Sequence, residues 1–258
     1  MSDPTGGSGS QEDSGLRIAG GWAREIAIVV IGALIASTLL RLFIVQMFVI
    51  PSGSMENTLQ VRDRVAVQKL AQFQRGDIVV FRDTQGWLEP AKQEDNPVTK
   101  VLIFVGLAPD ESSNHLIKRV VGLAGDHITC CDARGRLTVN GTALNESGYL
   151  YTDAGTGKQV DPSSVAFDVV VPAGTVFVMG DHRNDSQDSR CHLADDTDGG
   201  PAGSMAFIPT TNVVGTAVAV VFPFSRFQGI SRPLTFENIP PGQTPPAAPV
   251  LSGPEVVC

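Results

Sequence analysis

From Ile26 to Ile50 the chain carries a single charged side chain, Arg41, and directly after that run the text turns polar and strand-like. This break constrains the fold more than any other feature. About 20 apolar residues at about 1.5 Å each cross a hydrocarbon core as a helix. An arginine near one end can send its guanidinium to the headgroups. The expectation is a transmembrane helix over residues 25–47. A cleavable leader with Ser52-Gly53-Ser54 as its cleavage site is the alternative, but the run is too long for an ordinary leader core and has no clear positive cluster before it. Residues 1–24 are rich in Gly, Ser, Asp and Glu with little to bury, and read as disordered. Arg17 and Arg24 precede the run, whereas Arg41, Arg62, Arg64 and Lys69 stand within or after it, so charge does not select the helix orientation.

Beyond Leu59 the pattern is β. RVAVQK, DIVVF (Asp77 to Phe81), LIKRVV (Leu116 to Val121) and DHITC (Asp126 to Cys130) are short runs rich in β-branched residues with polar or Gly punctuation. RLTVNGTAL sets Asn140-Gly141 between apolar alternations, a strong hairpin signal. VAFDVVV, GTVFVMG and VVGTAVAVVF continue the series to Phe222. The last of these is too short to span a bilayer and ends in Pro223, which suits a buried strand. Residues 98–107 read as a short amphipathic helix leading to a loop. From Arg232 Pro and small residues dominate, as in a flexible tail. The expected organisation is therefore a disordered segment 1–24, a membrane helix 25–47, one β-rich domain 48–231 and a tail 232–258.

Composition removes several classes of function. A formal net charge of −8 without a basic stripe argues against a nucleic-acid partner. Neither GxGxxG opening a helix nor GxxxxGK[ST] occurs. The cysteines, Cys130, Cys131, Cys191 and Cys258, lack zinc spacing, and in an oxidising compartment Cys130 or Cys131 could pair with Cys191. The acidic run after Asp181 fails the calcium-loop spacing, so no metal is expected.

The short stretch PSGSMENTL, Pro51 to Leu59, puts Ser54 at the foot of the membrane run. Serines in such text are usually linkers or caps. No GxSxG elbow supports a Ser-His-Asp arrangement. Of the histidines, His182 in GDHRNDSQDSR is the best candidate base, although its ordinary reading is a loop residue. Lys118 is more informative. It lies inside LIKRVV, where Lys118 and Arg119 must point to opposite faces of a strand. If Arg119 faces out or pairs with an acid, Lys118 faces the packed side. Burial disfavours the ammonium and lowers its pKa, so that a neutral amine can take a serine proton.

Taken in order after one membrane helix, PSGSMENTL, RGDIVVF, KRVVGLAGD and GDHRNDSQDSR resemble the four motifs of bacterial type I signal peptidases. The resemblance covers the anchor and most of the β domain. It implies a mainly β, antiparallel catalytic domain tethered by one N-terminal transmembrane helix, and a serine endopeptidase of the cell membrane with its catalytic domain outside the cytoplasm. The implied partners are the bilayer and the signal peptides of exported preproteins, cut after small-x-small sites such as Ala-x-Ala. No metal or organic cofactor is implied.

By the same resemblance Ser54 is the nucleophile and Lys118 the general base. The Ser52 hydroxyl and the Ser54 N–H would form the oxyanion hole, and Ser186 would orient the lysine. Asp181, Arg183, Asp188 and Arg190 would support the site. Met55, and less directly Ile50 and Ile117, would wall the substrate pocket. Asn57 stands where the family commonly has Pro and His182 where it often has Asn; the loop from Cys191 to Ala206 is longer than in many members. Two other classes fit less well: a membrane-tethered β module that binds secreted chains without cutting them, which could lose Ser54 or Lys118 although both are present, and a self-cleaving repressor sharing the Ser-Lys chemistry, against which the membrane helix counts. The second lacks any DNA-reading segment. A cysteine transpeptidase would have only Cys191-His192, neighbours in sequence.

Overall fold

The computed structural model describes Trp22, residues 24–37, 44–88, 114–195, Thr197 and residues 199–253. Most of the expected disordered segment 1–24, and the short helix expected over 98–107, lie outside the described residues. Trp22 and residues 24–37 are helical. Among the described residues no helix is long and apolar enough to cross a membrane. The expected membrane helix also reached too far along the chain, because Val45 to Met47 belong to a strand. Apolar length is common to helix and strand; here Val45–Val49 takes the extended form because Arg64–Gln68 offers a ladder in register, from Val45 opposite Gln68 to Val49 opposite Arg64.

In chain order the strands are β1 (Val45–Val49), β2 (Arg64–Gln68), β3 (Ile78–Arg82), β4 (His115–Leu123), β5 (His127–Cys130), β6 (Thr138–Val139), β7 (Thr142–Ala143), β8 (Phe167–Val170), β9 (Thr175–Met179), β10 (Ile208–Pro209), β11 (Val213–Phe222), β12 (Gln228–Gly229) and β13 (Val250–Leu251). They form two antiparallel sheets. One runs β1-β2-β11-β3-β4-β9-β10, with β12 also on β11; the other runs β13-β8-β5-β6-β7.

The apolar text of β3 follows from its place in the middle of the larger sheet. Ile78 and Val80 pack on one face with Ile50, Met55, Leu59, Val65, Val67 and Val220. Val79 and Phe81 pack on the other with Trp87, Val120, Val176, Val178 and Ile208. A strand covered on both sides has no polar face to show, so it reads as a continuous hydrophobic run. In the smaller sheet β6 and β7 form the expected hairpin. Asn140 at φ 50° and Gly141 at φ 77° supply the two left-handed residues of a tight primed turn.

Two expectations need correction. Cys130 and Cys131 bridge each other, so neither pairs with Cys191. The segment from Arg232 is not a loose tail as far as Gly253. Phe236 and Ile239, 5% and 9% exposed, join the core of Ile128, Leu137, Phe167 and Phe177. Gln243 N donates to Gly125 O, Ala173 N to Pro246 O, and β13 pairs with β8. Prolines and small residues suit a flexible chain in isolation, but they also suit an extended strap whose backbone groups find partners on a sheet.

Candidate active site

Ser54 lies in a one-turn 3-10 helix, Gly53–Met55, between β1 and β2. Several bonds hold this turn. Glu56 N donates to Gly53 O at 2.9 Å, Leu59 N to Met55 O at 2.8 Å, and His182 N to Ser54 O at 3.1 Å. Its approach is also fixed from below. Met55 and Ile50, expected to wall a pocket, are fully buried, and Ile117 nearly so. All three belong to the core cluster of Leu59, Val65 and Val220, and act as the floor of the serine turn rather than an open wall. Large apolar side chains next to a polar turn were ambiguous in sequence, because floor and wall require the same residue types.

Lys118 comes from the middle of β4, opposite Val79 of β3. Its Nζ lies 2.5 Å from Ser54 Oγ. Both groups are hidden from water, Ser54 being 6% and Lys118 3% exposed. Loss of hydration on burial brings the Lys118 ammonium down from 10.5 to about 8. Asp188 and Asp181 oppose this by favouring the charge, and Arg190 works with burial. The lowering is the behaviour expected of a cation removed from water without a carboxylate in contact. Ser52 Oγ stands 3.4 Å from Ser54 Oγ on the exposed side of the turn.

The neighbour of the lysine has the opposite fate. Arg119 is buried, yet it meets Asp181 through two bonds, Nε to Oδ1 at 2.8 Å and Nη2 to Oδ2 at 2.6 Å. Its Nη1 donates to Gly76 O at 2.6 Å, and its guanidinium lies 4.3 Å from the Tyr149 ring centre. Thr58 Oγ1 donates to Asp181 Oδ2 at 2.5 Å. Through Arg119 the third sequence motif is thus tied to the second at Gly76 and to the last at Asp181, and Thr58 ties the first to the same carboxylate. A bidentate pair with further donors is the form in which a buried ion pair is tolerated.

The loop after β9 gathers the remaining candidates. Asp188 accepts from Gly180 N at 2.9 Å, Ser186 Oγ at 2.8 Å, Arg190 Nε at 2.9 Å and Arg190 Nη2 at 2.9 Å. Burial pushes the Asp188 carboxyl up, but Arg190, the Gly180 N–H and the nearby Lys118 charge outweigh it and hold the pKa below the usual value. Arg183 donates to Gly180 O and Pro162 O and pairs with Glu146 at 2.5 Å. Ser186 differs from its expected role. Its one hydroxyl proton goes to Asp188, and among the described residues the hydrogen bond of Lys118 Nζ goes to Ser54 Oγ. A carboxylate is the stronger acceptor within reach.

His182, the best histidine candidate for a base, does not meet the serine hydroxyl. Its Nδ1 is 3.3 Å from Gly53 O and its ring stacks on Tyr151. Among the described residues no group of His, Cys, Asp and Glu could hold a metal ion.

Four residues of this site were not singled out in sequence. Thr58 stands inside the first motif and Gly180 opens the last, so position could have flagged both. A Cβ on Gly180 would fall 2.3 Å from Ser186 Oγ and 2.5 Å from Ser54 O, so only glycine admits the close approach of those two segments. Glu146 and Tyr149 sit in NESGYL, where nothing marks them until the fold brings Arg183 and Arg119 against them.

A buried serine hydroxyl touching a buried, desolvated amine, on an antiparallel β scaffold, defines the class: a serine peptidase-like site without histidine in contact with the serine hydroxyl. The comparisons with known proteins narrow this. The family model described as signal peptidase, peptidase S26, matches residues 22–222. Signal peptidase I of Mycobacterium tuberculosis strain H37Rv is 36% identical over 234 residues, covering 81% of this chain and 75% of that protein. The probable signal peptidase I of Mycobacterium leprae is 34% identical over 229 residues, with 80% and 78% covered. The crystal structure of a signal peptidase I from Enterococcus faecalis V583 aligns at a TM-score of 0.34 and 22% identity, over 57% of this chain and 97% of that one. The chain belongs to the signal peptidase, peptidase S26, family, and is a serine endopeptidase.

Proposed function

We propose that this protein removes N-terminal signal peptides from exported preproteins at the cell membrane, with Ser54 as nucleophile and Lys118 as general base. The observation that carries the proposal is the 2.5 Å approach of Lys118 Nζ to Ser54 Oγ, both out of water. The names of the similar proteins supply the substrate class.

The chemistry follows from the groups present. With its pKa at about 8, Lys118 is neutral in a useful fraction of molecules near pH 7. The amine takes the Ser54 proton as Oγ attacks the scissile carbonyl carbon. The carbonyl π electrons move to oxygen, and the Ser54 N–H and the Ser52 hydroxyl stabilise that charge. Collapse of the tetrahedral intermediate breaks the C–N bond, and the Lys118 ammonium returns its proton to the departing amine of the mature protein. A water, deprotonated by the same lysine, then hydrolyses the acyl-enzyme. Arg119-Asp181 and Arg190-Asp188 keep the strand and the loop in place while the lysine changes charge.

Cleavage after small-x-small sites is part of the proposal. β1 is the outermost strand of its sheet, so an extended substrate can add to it with alternate side chains facing the enzyme. Pockets beside β1 that accept small side chains and exclude large ones by clash would set the preference. The apolar run starting at Ile26 tethers the chain to the bilayer, with the amino terminus in the cytoplasm and the β domain outside, and keeps the serine where cleavage sites emerge.

The test is cleavage of a purified preprotein in detergent by the full chain and by Ser54→Ala, with mass analysis of the products. Cutting by wild type alone, after a small-x-small site, supports the proposal. Binding without cutting by both would favour a tethered binding module, and cutting by both would remove Ser54 from the mechanism.

A further inference from the structure

The turn that carries Ser54 is gripped from across the site by His182. Its backbone N–H donates to Ser54 O at 3.1 Å, and its imidazole Nδ1 lies 3.3 Å from Gly53 O. A carbonyl oxygen only accepts, so the second contact places a hydrogen on Nδ1. Glu56 Oε2 at 3.5 Å and Asp185 Oδ2 at 3.9 Å face the same nitrogen, and both favour a hydrogen there. The ring cannot turn freely, because it stacks on Tyr151 with centres 3.7 Å apart and planes 25° from parallel.

Gly53 C=O and Ser54 N–H belong to one planar trans peptide, in which the two bonds point in opposite directions. Whatever holds Gly53 O therefore aims Ser54 N–H. Glu56 N–H binds the same oxygen at 2.9 Å, so that carbonyl accepts from both sides of the turn. An amide whose oxygen accepts hydrogen bonds is polarised, and its N–H becomes a stronger donor.

We propose that His182 is a positioning residue for the oxyanion hole: through Gly53 O it fixes the direction and raises the donor strength of Ser54 N–H. The inference rests on the reading of Ser54 as nucleophile. His182 contacts the backbone of the turn, Glu56, Asp185 and Tyr151, and not Ser54 Oγ or Lys118 Nζ. Its effect belongs to the transition state, where the substrate oxygen carries charge, and not to ground-state binding.

The experiment uses the full chain in detergent with a preprotein-derived peptide. His182→Phe keeps the stack on Tyr151 and the backbone N–H but loses Nδ1–H. Removing a hole donor outright costs about 100- to 1000-fold in kcat, and loosening one is expected to cost about tenfold with KM within about twofold. A peptide aldehyde, whose adduct oxygen enters the hole, should lose about tenfold in affinity, while the matching unreactive peptide should not. His182→Asn, which offers an amide N–H at nearly the same place, should recover kcat to within about threefold of wild type. His182→Asp, equal in size but presenting an acceptor to Gly53 O, should be slower than His182→Asn by about tenfold or more. That second pair keeps the test decisive should His182→Phe fail to fold.

Normal kcat in His182→Phe, a rise in KM alone, or equal activity of the Asn and Asp variants would overturn the inference. Ser54→Ala run alongside separates the two levels. If it still cleaves, the functional reading falls; if it is inactive while His182→Phe turns over normally, only the role of His182 falls.

Discussion

Replacing Lys118 by Met tests the buried amine twice, once through activity and once through stability. Met nearly matches the lysine in length but carries no proton. General-base removal should cost at least about 100-fold in kcat, by the usual contribution of a positioned base. The stability effect has a sign that can be worked out. In the folded chain the lysine titrates at about 8 and in the unfolded chain at 10.5. Between those values the unfolded state holds a proton that the folded state has released, so rising pH favours folding. Below about pH 8 both states are charged, and the buried ammonium costs about 3 kcal/mol, taking about 1.4 kcal/mol for each tenfold change in acidity. Wild type should therefore gain stability on Lys118→Met as pH rises from about 8 to 10.5, with a slope of up to about 1.4 kcal/mol per pH unit. Melting of both proteins in the same detergent across that range gives the difference directly. Groups common to both cancel. A flat difference would mean that Lys118 is not desolvated and is not poised as a base. In parallel, wild-type kcat/KM should rise from pH 6 and level off above about pH 8.

Other parts of the scaffold make separate predictions. Asp181→Ala leaves the Arg119 guanidinium buried without its carboxylate, and should cost about 3–5 kcal/mol in a denaturation experiment; a loss near zero would contradict the pairing. Gly180→Ala forces a methyl against Ser186 and the Ser54 carbonyl, so kcat should fall sharply while stability drops by about 1–3 kcal/mol. Unchanged turnover would show that the two segments are not packed so closely. Phe236→Ala should lower stability by about 3–5 kcal/mol because the ring fills the core beside Ile239. A loose tail would leave the melting temperature where it was.

Lys118 was recognisable because a strand exposes adjacent residues to opposite faces, and one of two neighbouring cations in an apolar run had to be buried. That Arg119 would be buried as well was not. Its acid, Asp181, lies 62 positions away, and only the β4-β9 pairing brings them together. The strands themselves were readable wherever β-branched runs met turn residues, as in β3 and the Asn140-Gly141 hairpin. β1 was not, because an apolar pentapeptide adjoining a membrane-length run has the same local character in either conformation. Its pairing with β2 decides the matter.

Sequence alone supplied the candidate reactive groups, their order along the chain and the β character of the domain, since these depend on side-chain chemistry and local periodicity. Tertiary structure decided which hydroxyl meets which amine, that Ser186 serves Asp188, that Met55 is floor and not wall, and that the segment around Phe236 is core. Those outcomes depend on contacts between residues far apart in the chain, and burial and pKa are properties of the environment such contacts create. The His182 grip on the Ser54 turn belongs with them. A histidine in a loop comes to touch the Ser54 turn only when the fold and a glycine without a side chain let the loop approach.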